Sequence, residues 1–321
     1  MRARLIAAFA AVYLVWGSTY LAIRFAVETL PPLIMAGARF VIAGAIVLAW
    51  SKLRERSPAP TRADWRTGII SGALLLLGGN GAVAWAEQRV PSGIAALLVA
   101  IVPLWMVLID WLRPGGRRPA VAVFAGVALG LAGLLLLVGP DSLRGGESAN
   151  GVGALVLVLA SLSWAAGSLF TKWSPRATTG TIGAGTQMLA GGMLLLLAGV
   201  VSGELSQLDL AHASARSLLG FAYLVTFGSL IGFTAYVYLL AHTTAAKAAT
   251  YAYVNPVVAV LLGWAIGHEA VTSRTILAAG VILAGVTIIT VTRDGGGASR
   301  DTSADDVPLD AGSPLNERRR A

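Results

Sequence analysis

Apolar residues run along this chain in blocks of about twenty, separated by short polar loops. At the helical rise of ~1.5 Å per residue each block matches the hydrocarbon thickness of a bilayer. The pattern predicts ten transmembrane helices, at residues 5–25, 32–50, 68–86, 93–111, 120–138, 153–170, 182–201, 218–240, 248–266 and 275–292. Short hairpins join the first to the second, the third to the fourth and the eighth to the ninth. Beyond Arg293 the sequence is rich in Gly, Ser, Asp and Pro and nearly free of apolar residues, so residues 294–321 are expected to be disordered.

The ninth block is not a plain lipid anchor, because Tyr251, Tyr253, Asn255 and Pro256 lie in its interior. Pro256 lacks a backbone donor and frees the carbonyl of Ala252, which is tolerable at membrane depth only where other groups or water satisfy it. Asn255 is costly in hydrocarbon unless it faces the interior of the bundle. Two readings follow: a wall of an internal site, or a packing kink with a satisfied Asn. Pro103 interrupts the middle of the fourth block in the same way.

Composition agrees with the pattern. With 56% hydrophobic residues, 12% charged residues and a mean hydropathy of +0.74, the chain reads as an all-α integral membrane protein. Its net charge of +8 and pI near 10.3 do not point to nucleic acid, because the basic residues sit in short loops rather than on one soluble face. They point to orientation instead. Arg2, Arg4, Lys52, Arg54, Arg56, Arg62, Arg66, Arg113, Arg117, Arg118, Lys172, Arg176, Lys247 and Arg293 fall on one side. Only Arg24, Arg89, Arg144, Arg216 and Arg274 fall on the other, which places both termini in the cytoplasm. The absence of cysteine excludes disulfides, thiolate catalysis and cysteine-ligated metals. His212, His242 and His268 are too scattered for a metal site, and no cofactor is expected. No phosphate-binding loop suggests ATP drive, and no cluster of acidic, His or Cys residues suggests an embedded enzyme.

The second half of the sequence echoes the first. Trp16 aligns with Trp164, Arg24 with Lys172, Arg39 with Gln187 and Gly44 with Gly192; after five extra residues, Trp85 aligns with Tyr238 and Pro103 with Pro256. Each copy holds five helices, an odd number, so the copies must cross the membrane in opposite senses. The predicted organisation is two inverted five-helix repeats, residues 1–144 and 145–293, followed by the tail.

Polar and aromatic residues share helix faces. Tyr13, Trp16 and Tyr20 form one stripe, Ser161, Trp164 and Ser168 its counterpart, and Thr226, Ser229, Phe233 and Tyr236 a third. Such stripes suit a cavity for a small amphipathic solute, or hydrogen bonding between helices. Tyr251 and Asn255 would form the facing wall, with bends at Pro103 and Pro256. Arg39 lies within the second block, where a lone charge costs ~2.5 to 3.5 kcal/mol on insertion scales. It is read either as a structural ion pair with Glu87 or as an anchor for a substrate carboxylate or phosphate. Asn80, between glycines, is a site ligand or a packing residue.

Trp16 to Tyr20 (WGSTY), Pro31 to Phe40 (PPLIMAGARF), Pro91 to Ala96 (PSGIAA), Thr250 to Pro256 (TYAYVNP) and Gly267 to Glu269 (GHE) together resemble the EamA family of the drug/metabolite transporter superfamily. The resemblance spans residues 12–291. It implies a ten-helix carrier whose cavity is built by helices one to four and six to nine, with five and ten peripheral, and whose relatives commonly export amino acids, other metabolites or toxic organic compounds. The expected activity is secondary transport of a small molecule across the cytoplasmic membrane, with a channel or a non-transporting scaffold as the alternative. The expected substrate residues are Trp16, Tyr20, Asn80, Trp164, Ser168, Tyr251 and Asn255.

Overall fold

The computed structural model describes residues 2–114, 120–138, 148–175, 177–243, 248–249 and 251–295; the boundary between the two halves and residues 296–321 of the expected tail lie outside the described residues, while Asp294 and Gly295, expected to be disordered, continue the last helix. Among those described, all regular structure is helical. The segments are α1 (Arg2–Ala26), α2 (Pro32–Leu53), α3 (Arg62–Ala86), α4 (Ser92–Leu112), α5 (Val121–Val138), α6 (Ser148–Trp173), α7 (Gly180–Val201), α8 (Ala215–His242), α9 (Tyr251–Ala265) and α10 (Ser273–Gly295). Seven of them, α1 to α4 and α6 to α8, are long and apolar enough within the described residues to cross a membrane. Large apolar side chains such as Ile46, Leu197, Leu219, Leu261 and Leu277 point outward, as a lipid-facing surface requires. The protein is a multi-pass membrane protein.

Local sequence sets the helix starts. Pro31 and Pro32 open α2, with Pro32 in the first turn where no intrahelical donor is needed. Thr61 and Asp64 form a reciprocal capping box at the start of α3, and Thr179 and Ser214 cap α7 and α8 with their hydroxyls. Three carboxylates bond across the two halves, two of them capping helices of the opposite half. Glu204 Oε2 accepts from the Leu33 and Ile34 amides at the start of α2. Glu269 accepts from the Ser92 amide and hydroxyl and from the Gly93 amide at the start of α4. Asp64 accepts from the Thr178 amide and hydroxyl just before α7. Because the first amides of a helix have no intrahelical partner and carry the positive end of its dipole, Glu204 and Glu269 bridge the two halves at places where they are stabilised.

Helix contacts depend on small residues. A Cβ on Gly44 would lie 2.6 Å from the Leu189 amide nitrogen, and one on Gly192 would lie 2.7 Å from that of Val41, so α2 and α7 touch backbone to backbone. α5 and α10 pack on each other in the same manner, through Gly133 and Gly285. Both α3 and α8 contain a wide π-helical stretch, Ala73–Gly81 and Leu224–Phe233 respectively. The two prolines behave differently. Pro103 divides α4 into Ser92–Val99 and Val102–Leu112, whereas Pro256 sits inside α9, which continues through it.

Candidate functional site

Trp16 of α1 and Trp164 of α6 each lean on a glycine in a π stretch. A Cβ on Gly232 would come within 2.4 Å of Trp16 Nε1, and a Cβ on Gly79 within 2.8 Å of Trp164 Cε3. Only hydrogen at those positions lets the indoles lie against the neighbouring helix. Trp16 Nε1 also donates to Gly228 O at 3.2 Å, inside the π stretch of α8.

The two indoles meet Tyr236 and Tyr251 to form a four-ring cluster. Trp16 lies 5.4 Å from Trp164, 4.9 Å from Tyr236 and 5.3 Å from Tyr251 between ring centroids, and the two tyrosines are 5.6 Å apart. Near-perpendicular contacts recur in it, which suits the ring quadrupoles. Ser168 Oγ donates to Trp164 O at 2.7 Å, so its 2.6 Å contact with Tyr236 is a bond donated by the phenol. Ser168 thus stands behind the ring of Tyr236, fixing it.

Beside this cluster lies a cavity of about 60 Å³. Its walls include Trp16, Thr19, Tyr20, Arg39, Phe40, Asn80, Trp164, Phe233, Tyr251 and Asn255, contributed by α1, α2, α3, α6, α8 and α9, with Val99 added by α4. Six of the seven expected substrate residues therefore come together, and Ser168 lies one layer back. α7, expected among the walls, contributes no lining residue, because its close glycine contacts lock it behind α2 and α3. From the third stripe, Phe233 lines the cavity, Ser229 bonds Arg39 and Tyr236 joins the ring cluster. Thr226 instead bonds its own helix at Ala222 O and is exposed. Thr19 and Phe40 are wall residues that periodicity did not single out.

Asn255 joins two helices. With its amide nitrogen facing the carbonyls, it donates to Tyr13 O at 3.1 Å and to Tyr251 O at 3.2 Å while lining the cavity. Asn80 Oδ1 lines the same space and is buried without a hydrogen-bond partner.

Arg39 is 2% exposed, and the expected ion pair with Glu87 does not form. Its Nε donates to Ser229 Oγ at 2.7 Å, its guanidinium carbon lies 4.5 Å from the Phe40 ring centroid, and Nη1 has no partner. The side chain turns toward α8 because Gly228 leaves it room; a Cβ there would come within 2.8 Å of Nη2. Glu87 is fully buried just after α3, with both carboxylate oxygens unpartnered. Its electrostatic neighbours are Arg24, whose Nη1 donates to the Glu87 backbone carbonyl, Glu269 and Tyr20.

A second, larger chamber of about 520 Å³ lies at the ends of α3, α6, α7 and α8, lined by Thr67, Lys172, Gln187, Leu240 and His242 among others. Lys172 caps the end of α8 there, donating to Leu240 O and Thr243 O.

These features accompany clear likeness to known proteins. The sequence profile of the EamA-like transporter family matches residues 3–139 and 151–291. YedA, an uncharacterized inner membrane transporter of Escherichia coli K12, is 42% identical over 290 residues, covering 89% of this chain and 90% of its own. The uncharacterized transporter YoaV of Bacillus subtilis is 26% identical over 88% of this chain and 94% of its own; PecM of Dickeya dadantii is 28% identical over 78% and 80%. A solved crystal structure superposes with a TM-score of 0.63 at 22% identity, over 90% of this chain and 98% of that one, which shows a shared fold. Seven membrane-competent helices and a family match over both halves lead to one conclusion: this chain is a membrane transporter belonging to the EamA-like transporter family.

Proposed function

We propose that the protein is a secondary transporter that exports a small metabolite, amino-acid-like or drug-like, across the cytoplasmic membrane by alternating access. Its ten helices form two inverted five-helix repeats, residues 1–144 and 145–293, with both termini and the tail 294–321 in the cytoplasm. Trp16, Tyr20, Asn80, Trp164, Tyr251 and Asn255 touch the solute, Ser168 holds the cage, and Pro103 and Pro256 mark the bends about which the repeats rearrange.

The observation that carries this reading is a central cavity walled by aromatic residues from both halves of the chain. At about 60 Å³ it has room for a water or two, so a metabolite requires the walls to part. The larger chamber lies at helix ends on the Lys- and Arg-rich side, while Glu269 ties the start of α4 shut on the other. A chamber on one side and a closure on the other suit one state of an alternating cycle. The inverted repeat is supported by the family profile matching each half, by π stretches in both α3 and α8, and by the reciprocal Trp16–Gly232 and Trp164–Gly79 contacts. The outward direction rests on the commonest role of the family that the sequence resembles.

Metabolite profiling of cells and medium with and without overexpression identifies the cargo. Saturable flux of that cargo in proteoliposomes is expected, lowered by Trp16→Phe and Asn80→Ala but not by Leu261→Ala on the lipid face. Flux that never saturates would make the protein a channel. Absence of any flux would make it a scaffold. Orientation is read separately: with no native cysteine, an impermeant thiol reagent should label Ser148→Cys and not Ser57→Cys in intact cells.

A further inference from the structure

The central cavity contains one charged wall residue, Arg39. A guanidinium stays protonated under all ordinary conditions and keeps its donors in a planar fork that matches a carboxylate. Here one arm of the fork is used by Ser229, a neutral hydroxyl, and Phe40 offers its ring face. Nη1 remains buried and unpaired, and among the described residues no carboxylate lies within ion-pair distance of Arg39. Leaving a buried cation uncompensated is among the most destabilising arrangements available to a fold. The one acidic residue expected to compensate it, Glu87, has its carboxylate elsewhere and is itself unpartnered.

Building on the transporter reading above, we propose that Arg39 binds the carboxylate of the transported solute, which makes the cargo a small organic acid or zwitterion with an apolar or aromatic body. The charge balance selects the head group. One cation neutralises one negative charge, whereas a phosphate monoester would bring a surplus charge into a low-dielectric cavity that offers no second cation. The walls select the body. Trp16, Trp164, Tyr251, Phe40 and Phe233 present apolar ring surface, and a protonated amine on a zwitterion is attracted by ring faces.

The test compares cells expressing the wild type, Arg39→Gln and Arg39→Lys at matched membrane levels, by metabolite profiling of cells and medium. Compounds whose distribution the wild type shifts are expected to carry a carboxylate. Arg39→Gln should lower their flux about tenfold to a hundredfold, the value of a lost charge-assisted hydrogen bond. Arg39→Lys should keep part of it, because the charge remains and the planar fork does not. The chemistry of the wild-type cargo decides the matter even where a variant fails to fold. Cargo with no acidic group, or acidic cargo moved equally well by Arg39→Gln, overturns the proposal and leaves the transporter reading intact. Phosphorylated cargo overturns the carboxylate assignment. If the wild type shifts no compound at all, the transporter reading falls and this proposal falls with it.

Discussion

In the first half of the chain α2 carries Gly37 and Gly44, and in the second half α7 carries Gly185 and Gly192 at the same spacing. The helices meet through them, with a Cβ on any of the four coming within 2.8 Å of a neighbouring atom. Other features recur as well: a π stretch in α3 and in α8, and an indole seated on a glycine of that stretch. The chemistry does not recur. Arg39 aligns with Gln187, which lines the larger chamber rather than the central cavity; Asn80 aligns with Phe233; Tyr251 and Asn255 align with Leu98 and Val102. What the halves share is the way helices cross, and what they do not share is the polarity of the cavity wall. A scaffold can therefore be near-symmetric while its site has one charged side.

The strongest way to break that comparison is to enlarge the shared glycines. Gly44→Ala and Gly192→Ala each press a methyl group against backbone, and each is expected to destabilise the protein by ~1 to 3 kcal/mol, read as a lower melting temperature in detergent. Gly130→Ala and Gly280→Ala, with nothing within 4 Å, should melt at or above the wild-type temperature. If all four behave alike, close backbone contact is not what holds the halves together.

A smaller effect is expected at the cross-half caps. Glu269→Gln weakens three hydrogen bonds and Glu204→Gln two, so the first should cost about 1 to 2 kcal/mol and the second less, by the same melting measurement. Equal losses would mean that bond count is not what differs between them.

The unmatched pair Arg39 and Gln187 sharpens the comparison in function. Gln187→Ala, in the larger chamber, should leave flux of the identified cargo within about twofold of wild type, against the tenfold or larger loss from Arg39→Gln. A comparable loss at both positions would move the binding site into the chamber.

The smallest effect separates the two indoles. Trp16→Phe gives up a well-formed bond to Gly228 O, worth about 1 kcal/mol, whereas Trp164→Phe gives up only weaker contacts of its indole N–H with the neighbouring Tyr236 and Tyr251 phenols. Chemical denaturation should find Trp16→Phe the less stable of the two.

Much of this arrangement was legible in the sequence because helical periodicity places residues on faces. Trp16 and Tyr20, or Tyr251 and Asn255, are four apart, so once the apolar blocks were recognised their shared orientation followed. Which faces would meet was less legible. The bond from Arg39 to Ser229 joins residues far apart in sequence; opposite charge alone points to Glu87, and nothing in the sequence marks Gly228 as leaving a space for the guanidinium. The π stretches carry no periodic signature, so the close fit of each indole over its glycine could not be read in advance. Two similar prolines gave a break in α4 and an unbroken helix in α9, because whether a proline ends a helix is settled by what packs around it.

The wide turn of α8 also bears on how the chain tolerates changes in length. In an ordinary α-helix, deleting one residue swings everything beyond it by about 100°, which would carry Tyr236 away from its partners. A π turn holds more chain than an α turn, so Leu224–Phe233 is a reserve from which one residue can be withdrawn while Ala215–Tyr223 and Thr234–His242 keep their facing directions. The stretch acts as slack in an otherwise rigid rod. Scanning single-residue deletions along α8 for membrane expression should show tolerance confined to this stretch, and uniform intolerance would show that the slack is already fully taken up by the seat of Trp16.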